Sequence, residues 1–228
     1  LGPFAEVGYV EPMSAVTSVN LAVVRTGEWT GRIGKSGIDK RPADHPVRFT
    51  ETGVEGDAVC DTKHHGAWYQ AAYAFDTEEL AHWSAELGTE LAPGNAGENL
   101  TLTGADSTSA LVGERWAIGD AVLRVTGPRQ PCRVFAGFWD VPGLVKRFTA
   151  HGRTGVYLAV EQPGEISAGD EIRVLSRPDH GVQVAELFAL TLQGRADLAE
   201  HVAGCLPDLP EKWRATAAAR IESARLTA

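Results

Sequence analysis

The stretch Arg115-Trp116-Ala117-Ile118-Gly119-Asp120-Ala121-Val122-Leu123-Arg124-Val125-Thr126 holds two apolar runs of strand length, divided by a Gly-Asp turn signal. Outward from it the same unit recurs. Residues 19–25, 48–50, 71–75, 99–103, 156–161 and 171–175 are short apolar stretches, and the 25 glycines and 12 prolines of this 228-residue chain punctuate them. Short strands with few helices between them favour a barrel or sandwich over a doubly wound sheet. The expected fold class is therefore mainly β with helices: a strand-rich, barrel-like domain over residues 13–177, with residues 1–12 set apart as an extension.

Two helices interrupt the strands. Asp76 is a good N-cap with Glu79 at the third helical position, and Leu80, Trp83 and Leu87 follow at helical spacing until Gly88. Asp140 stands in the same relation to Val141, Leu144, Val145 and Phe148, with Pro142 tolerated in the first turn. Beyond Pro178 the pattern turns helical. Val184, Leu187, Phe188 and Leu192 share one face, residues 197–205 form a middle segment, and Trp213, Ala217 and Ile221 share another face after Pro210. Residues 178–228 are thus expected to form a three-helix tail, with a boundary near 177–181.

Composition narrows the function classes. With 21 Lys and Arg against 30 Asp and Glu, the net charge of −9 repels nucleic acid and anionic lipid. Cys60, Cys132 and Cys205 form neither a disulfide framework nor a C-x-x-C zinc pattern, so a reducing, cytoplasmic setting is expected. No apolar run approaches the roughly 20 residues that cross a bilayer. The charge is uneven, however. From residue 124 to 153 six basic residues face the single acid Asp140, and from 25 to 48 six basic residues face three acids. Two basic islands on an acidic chain suggest a pocket for a small anion; the competing reading is two solvated basic faces.

One island holds Gly127-Pro128-Arg129-Gln130-Pro131-Cys132-Arg133. Its prolines stiffen the chain before the cysteine, so the loop presents Cys132 rather than burying it. Arg129 and Arg133 put positive charge beside the sulfur, the setting in which a thiol serves as nucleophile or metal ligand. Cys60 and Cys205 lack this setting and read as packing cysteines. In the polar loop 57–66, His64 and His65 are adjacent, so on an extended chain one faces a pocket while the other packs. Four convergent zinc ligands are not found. Gly97-Glu98-Asn99 opens a strand, and Gly152-Arg153-Thr154-Gly155 opens another with an Arg to aim at an anion, without the length or Lys of a P-loop.

In order, several segments resemble the MOSC domain family, named after the C-terminal domain of molybdenum-cofactor sulfurases. They are Lys35-Ser36-Gly37-Ile38-Asp39-Lys40-Arg41-Pro42, Gly56-Asp57 through His65-Gly66, Gly97-Glu98-Asn99-Leu100, Gly113-Glu114-Arg115 with Ile118-Gly119-Asp120, Pro128-Arg129-Gln130-Pro131-Cys132, and Gly152-Arg153-Thr154-Gly155. The helical tail is similar to that of the stand-alone bacterial YiiM-like branch. The resemblance implies a strand-rich, barrel-like fold and binding of the molybdenum cofactor (molybdopterin), a pterin dithiolene bearing a phosphate. Cys132 takes the place of the metal ligand. Lys35, Ser36, Asn99, Arg129 and Arg153 then surround the cofactor, and His64 or His65 supplies protons. The implied activity is reduction of N-hydroxylated compounds. No dinucleotide fingerprint is present, so electrons arrive from an external electron-transfer protein; a homodimer is allowed.

Two departures bear on substrate choice. Related sequences usually read His-His-Gly-Gly where this chain has His64-His65-Gly66-Ala67-Trp68-Tyr69, so the bulk of Trp68 and Tyr69 is expected to reshape the pocket; Ala96 stands where the family often has Phe. Two other functions compete. In one, Cys132 handles sulfur without molybdenum, by transfer or by carbon–sulfur cleavage. In the other, the pocket is a noncatalytic cofactor carrier.

Overall fold

The computed structural model describes residues 14–227, so the expected extension 1–12 lies outside the described residues. Eight strands form one sheet: β1 (Ala15–Ala22), β2 (Lys40–Pro42), β3 (Ala72–Asp76), β4 (Leu100–Thr103), β5 (Arg115–Ile118), β6 (Ala121–Pro128), β7 (Val156–Gln162) and β8 (Ile172–Ser176). Their order is β8-β5-β6-β7-β3-β4-β1-β2. The β5–β6 unit is the hairpin turning at Gly119-Asp120, with Ala121 opposite Ile118. Only β3 and β4 run parallel, joined by helix α1 (Thr77–Leu87); the other neighbours in this sheet are antiparallel. No ladder closes the sheet among the described residues. The first strand nonetheless returns to the last: Val16 N donates to Asp170 O at 2.9 Å and Ile172 N to Ser14 O at 2.8 Å, around an isolated bridge between Ala15 and Glu171. The fold is therefore barrel-like, its sheet ends joined among the described residues by this single bridge.

Strand alternation divides the interior. On β3, Ala72 and Ala74 point into the main core with Leu100, Leu123, Val125 and Leu158. Tyr73 and Phe75 point to the other face, into an aromatic cluster with Trp83, Phe135 and Phe148. This second cluster is built by α1, α2 (Arg133–Trp139) and α3 (Leu144–His151). Gly155 enters β7 at φ +67, where a Cβ would stand 2.3 Å from the Ala74 carbonyl oxygen; only glycine fits beside β3.

Two expectations about helix ends are corrected. Asp76 does precede α1, but its side chain makes no capping bond; it accepts from Ser107 N and Oγ at 2.9 Å each, because Ser107 brings two donors to a buried carboxylate. Glu79 likewise leaves the capping box to pair with His151 at 2.6 Å and with Arg153. Asp140 opens no helix. It ends α2 at φ 53, and α3 begins four residues later behind Gly143.

The tail folds as α4 (Val184–Phe188), continued by a wider turn to Gln193, α5 (Ala199–Ala203) and α6 (Glu211–Thr227). Its apolar residues Leu187, Val202, Trp213 and Ile221 belong to the same core as the sheet. No helix among the described residues is long and apolar enough to cross a membrane.

Candidate functional site

A cavity of about 470 Å³ opens over the aromatic cluster. The end of β6 and the start of α2 supply Arg129, Cys132 and Arg133. The loop 57–66 supplies Asp57, Cys60, Asp61, Lys63, His64 and His65. The segment 30–40 supplies Arg32, Lys35, Ser36 and Lys40, and the turn before β4 supplies Ala96 and Asn99. Six basic side chains thus meet two carboxylates in one concavity, although the chain as a whole is acidic.

Arg129 is 5% exposed. Its guanidinium lies 3.9 Å from the Phe135 ring centroid and 5.5 Å from that of Tyr73, so aromatic faces hold its plane. Its Nη1 is buried with no hydrogen-bond partner. A buried cationic donor without an acceptor is costly, and at the wall of a cavity it points to an anionic ligand. Nearby, burial pushes the Tyr157 hydroxyl up to about 12 and Tyr73 well above its usual value, so neither phenol supplies a counter-charge.

Cys132 caps α2 and is half-buried, packed on the aromatic cluster on one side and open to the cavity on the other. His64 Nδ1 lies 2.9 Å from Asp61 Oδ2, and this hydrogen bond holds the Asp61 carboxyl below the usual carboxylate range. His65 is more enclosed. Burial first, and the charge of Arg129 second, hold its imidazole below the usual range, so it is neutral at neutral pH.

The wall beside them is a fixed network. Lys40 Nζ donates to Asp57 Oδ1 at 2.5 Å, and the same oxygen accepts Ala22 N at 2.9 Å. Burial lowers the Lys40 pKa against the pull of Asp57. Asn99 Nδ2 donates to Asp57 Oδ2 at 2.8 Å while its Oδ1 accepts Tyr73 N at 3.3 Å. Asn99 therefore lines the cavity but spends its amide on the fold. Ser36 is buried and accepts Ile38 N at 3.2 Å; Lys35 is exposed.

Of the expected site residues, Cys132, His64, His65, Lys35, Ser36, Asn99 and Arg129 meet at this cavity. Arg153 does not. It binds Glu79 and, at 2.6 Å, Asp106 on the outer side of α1, because the buried Glu79 carboxylate needs a cation. Trp68 and Tyr69 are also outside: Trp68 is 53% exposed beneath Arg124, and Tyr69 packs on the main core. Cys60, read as a packing cysteine, lines the cavity with Cys132. Its place in the same loop as His64 and His65 was the available signal. Arg32, in the basic island 25–48, and Lys63, beside His64, shared a regional signal of that kind, but nothing singled them out from their neighbours.

Comparison with known proteins agrees with this geometry. The MOSC domain family profile matches residues 61–173. Uncharacterized protein YflK of Bacillus subtilis is 33% identical over 170 residues, covering 75% of this chain and 77% of that protein. The chain belongs to the MOSC domain family. YiiM from Geobacillus stearothermophilus has a solved structure that superposes with a TM-score of 0.75 at 27% identity, covering 91% of this chain and 99% of that one. A protein called Reductase from Gibberella moniliformis is 33% identical over 159 residues; the match covers 68% of this MOSC chain and 28% of that longer protein.

Proposed function

We propose that this MOSC protein is an oxidoreductase that holds the molybdenum cofactor around Cys132 and reduces N-hydroxylated compounds. The observation that carries the reading is that Arg129, whose Nη1 is buried without a partner, lines the same cavity as Cys132, a pairing of cation and sulfur that fits a phosphate-bearing ligand whose metal a thiolate would hold. The fungal relative called Reductase supports redox chemistry. When bound, the cofactor supplies the two-electron chemistry that removes the oxygen of an N–OH group.

This chain's own residues do the rest. Cys132 Sγ would hold the metal, and Arg129 would pair the phosphate with help from Lys35 and Ser36. Asn99 and Lys40 fix Asp57 and with it the loop that carries the histidines. His64, steadied by Asp61 and open to solvent, relays protons to the departing oxygen; neutral His65 accepts or donates a hydrogen bond in the more enclosed part of the cavity. The two electrons the reduction consumes would come from an external electron-transfer protein.

The test is to purify the protein from a host that makes the cofactor and to quantify molybdenum and released pterin. Stoichiometric molybdenum is expected, falling to background in Cys132→Ser together with reduction driven by a viologen dye, at unchanged melting temperature. Cys60→Ser should keep its molybdenum. Cys60 at the same cavity favours the metal-free sulfur reading as the second choice: molybdenum-free protein whose activity needs both thiols would replace the first reading with the second.

A further inference from the structure

The cations of the cavity fall into two layers. Lys40 and Arg129 are buried; the first is neutralised by Asp57 and the second has a buried Nη1 without a partner. Arg32, Lys35, Lys63 and Arg133 are exposed at the mouth, come from three short segments, and make no ion pair with any described residue. Elsewhere among the described residues about two thirds of the cations are paired, as Arg41 is with Asp39, Arg115 with Glu161, Arg177 with Glu114 and Arg225 with Glu200, and the unpaired ones, such as Lys146, Arg173 and Arg220, line no part of this cavity. Four cations around one mouth, none paired with a carboxylate among the described residues, make a locally positive field on a net-acidic chain, which low-dielectric walls focus inward. Among these cations, Ile33 and Val59 line the same mouth while 46% and 47% exposed, so the charged rim carries apolar side chains.

We propose that this mouth selects an organic anion as substrate, its apolar body against Ile33 and Val59 and its carboxylate, sulfonate or phosphate group against Arg32, Lys63 and Arg133. The proposal rests on the reading above only in leaving the deep half of the cavity for the cofactor and the reacting group. A small molecule is favoured over an acidic protein face because these cations line a concavity of about 470 Å³. That lies within the range of small-molecule sites, whereas a protein partner needs about 800 Å² of complementary surface on each side.

The test uses two probes of equal shape, 4-carboxybenzohydroxamic acid and its neutral 4-carbamoyl analogue, titrated calorimetrically into cofactor-loaded protein. The carboxylate should bind about tenfold tighter at low salt, and most of that advantage should vanish at about 0.5 M NaCl, where charges are screened beyond about 4 Å. Arg32→Gln with Lys63→Gln should remove the advantage while moving the neutral probe's Kd less than twofold, with melting unchanged. Equal affinities, an advantage untouched by the double variant, or no binding of either probe would overturn the proposal. Tight capture of poly-glutamate without discrimination between the probes would also overturn it and assign the rim to an acidic protein. Molybdenum is measured on the same samples. Discrimination without molybdenum keeps the rim proposal and removes the cofactor, and molybdenum without discrimination does the reverse.

Discussion

Arg129 and Arg153 show how one residue type takes opposite roles in one chain. Arg129 ends a strand between two prolines and is driven onto aromatic faces, where Nη1 is left unsatisfied. Arg129→Met keeps much of the apolar contact and removes the orphaned donor. Phosphate-bearing ligand occupancy should fall about ten- to hundredfold, from the roughly 1.5–3 kcal/mol of a charged hydrogen bond, while the melting temperature of the ligand-free protein holds or rises. Unchanged pterin occupancy in that variant would place the phosphate elsewhere. Arg153→Ala should behave conversely. Glu79 loses one of its two partners, so the ligand-free protein loses about 1 kcal/mol, kept small because Arg153 is 39% exposed, and pterin per folded molecule stays constant. The local signal of Cys132, prolines and arginines within seven positions, was legible in the sequence. The Lys40–Asp57–Asn99 network was not, since its members lie 17 and 42 residues apart and only the fold joins them.

At the scale of elements, strands were the readable part because each buries a run of apolar residues between turn signals; 115–118 and 121–126 differ from β5 and β6 by two residues at one end. Helix α2 was missed because its apolar residues follow directly on the loop and Asp140 resembled the next N-cap. Gly137 gives the physical reason for its position: a Cβ there would stand 2.7 Å from the Trp29 Cβ. Gly137→Ala should therefore cost about 1–3 kcal/mol by overpacking. A variant that melts like the wild type would refute that contact. The turn before β4 is held by Glu98, wholly buried, whose carboxyl accepts Gly94 N at 2.6 Å, Ala96 N at 2.9 Å and Thr101 Oγ1 at 2.8 Å. Burial raises its pKa from 4.5 to about 7. The folded chain thus keeps a proton that the unfolded chain gives up, so this group's contribution to stability is full below about 4.5 and is lost as pH rises towards 7. Glu98→Gln cannot lose that proton. Its melting temperature, lower at acid pH because an amide donor replaces an acceptor, should close on the wild type between about pH 5 and 7.5; a pH-independent gap would show that Glu98 does not titrate there.

At the scale of the molecule, the division near 177–181 marks a change of secondary structure within one continuous core. Backbone bonds cross it: Val112 N donates to Val182 O at 3.0 Å and Val184 N to Ala110 O at 2.9 Å. Trp213 of α6 is 5% exposed and lies against β6, where a Cβ on Gly127 would stand 3.1 Å from its Nε1. Gly127 is two residues from Arg129, so the tail buttresses the strand end that presents the site, and the charge of Lys212 reaches His65. An independent appendage predicts two unfolding transitions and a functional fragment ending near residue 177. A shared core predicts one transition for both parts, because removing α6 strips Trp213, Ala217 and Ile221 from residues they cover. Trp213→Ala should therefore lower global stability by about 3–5 kcal/mol, with sheet and helix signals lost together, and the fragment should expose apolar surface and fail to hold pterin. The measurement is denaturant unfolding followed at once by far-ultraviolet dichroism and by exchange protection of β6 amides. A variant in which β6 protection survives after the helical signal has gone would show that the tail folds and unfolds on its own.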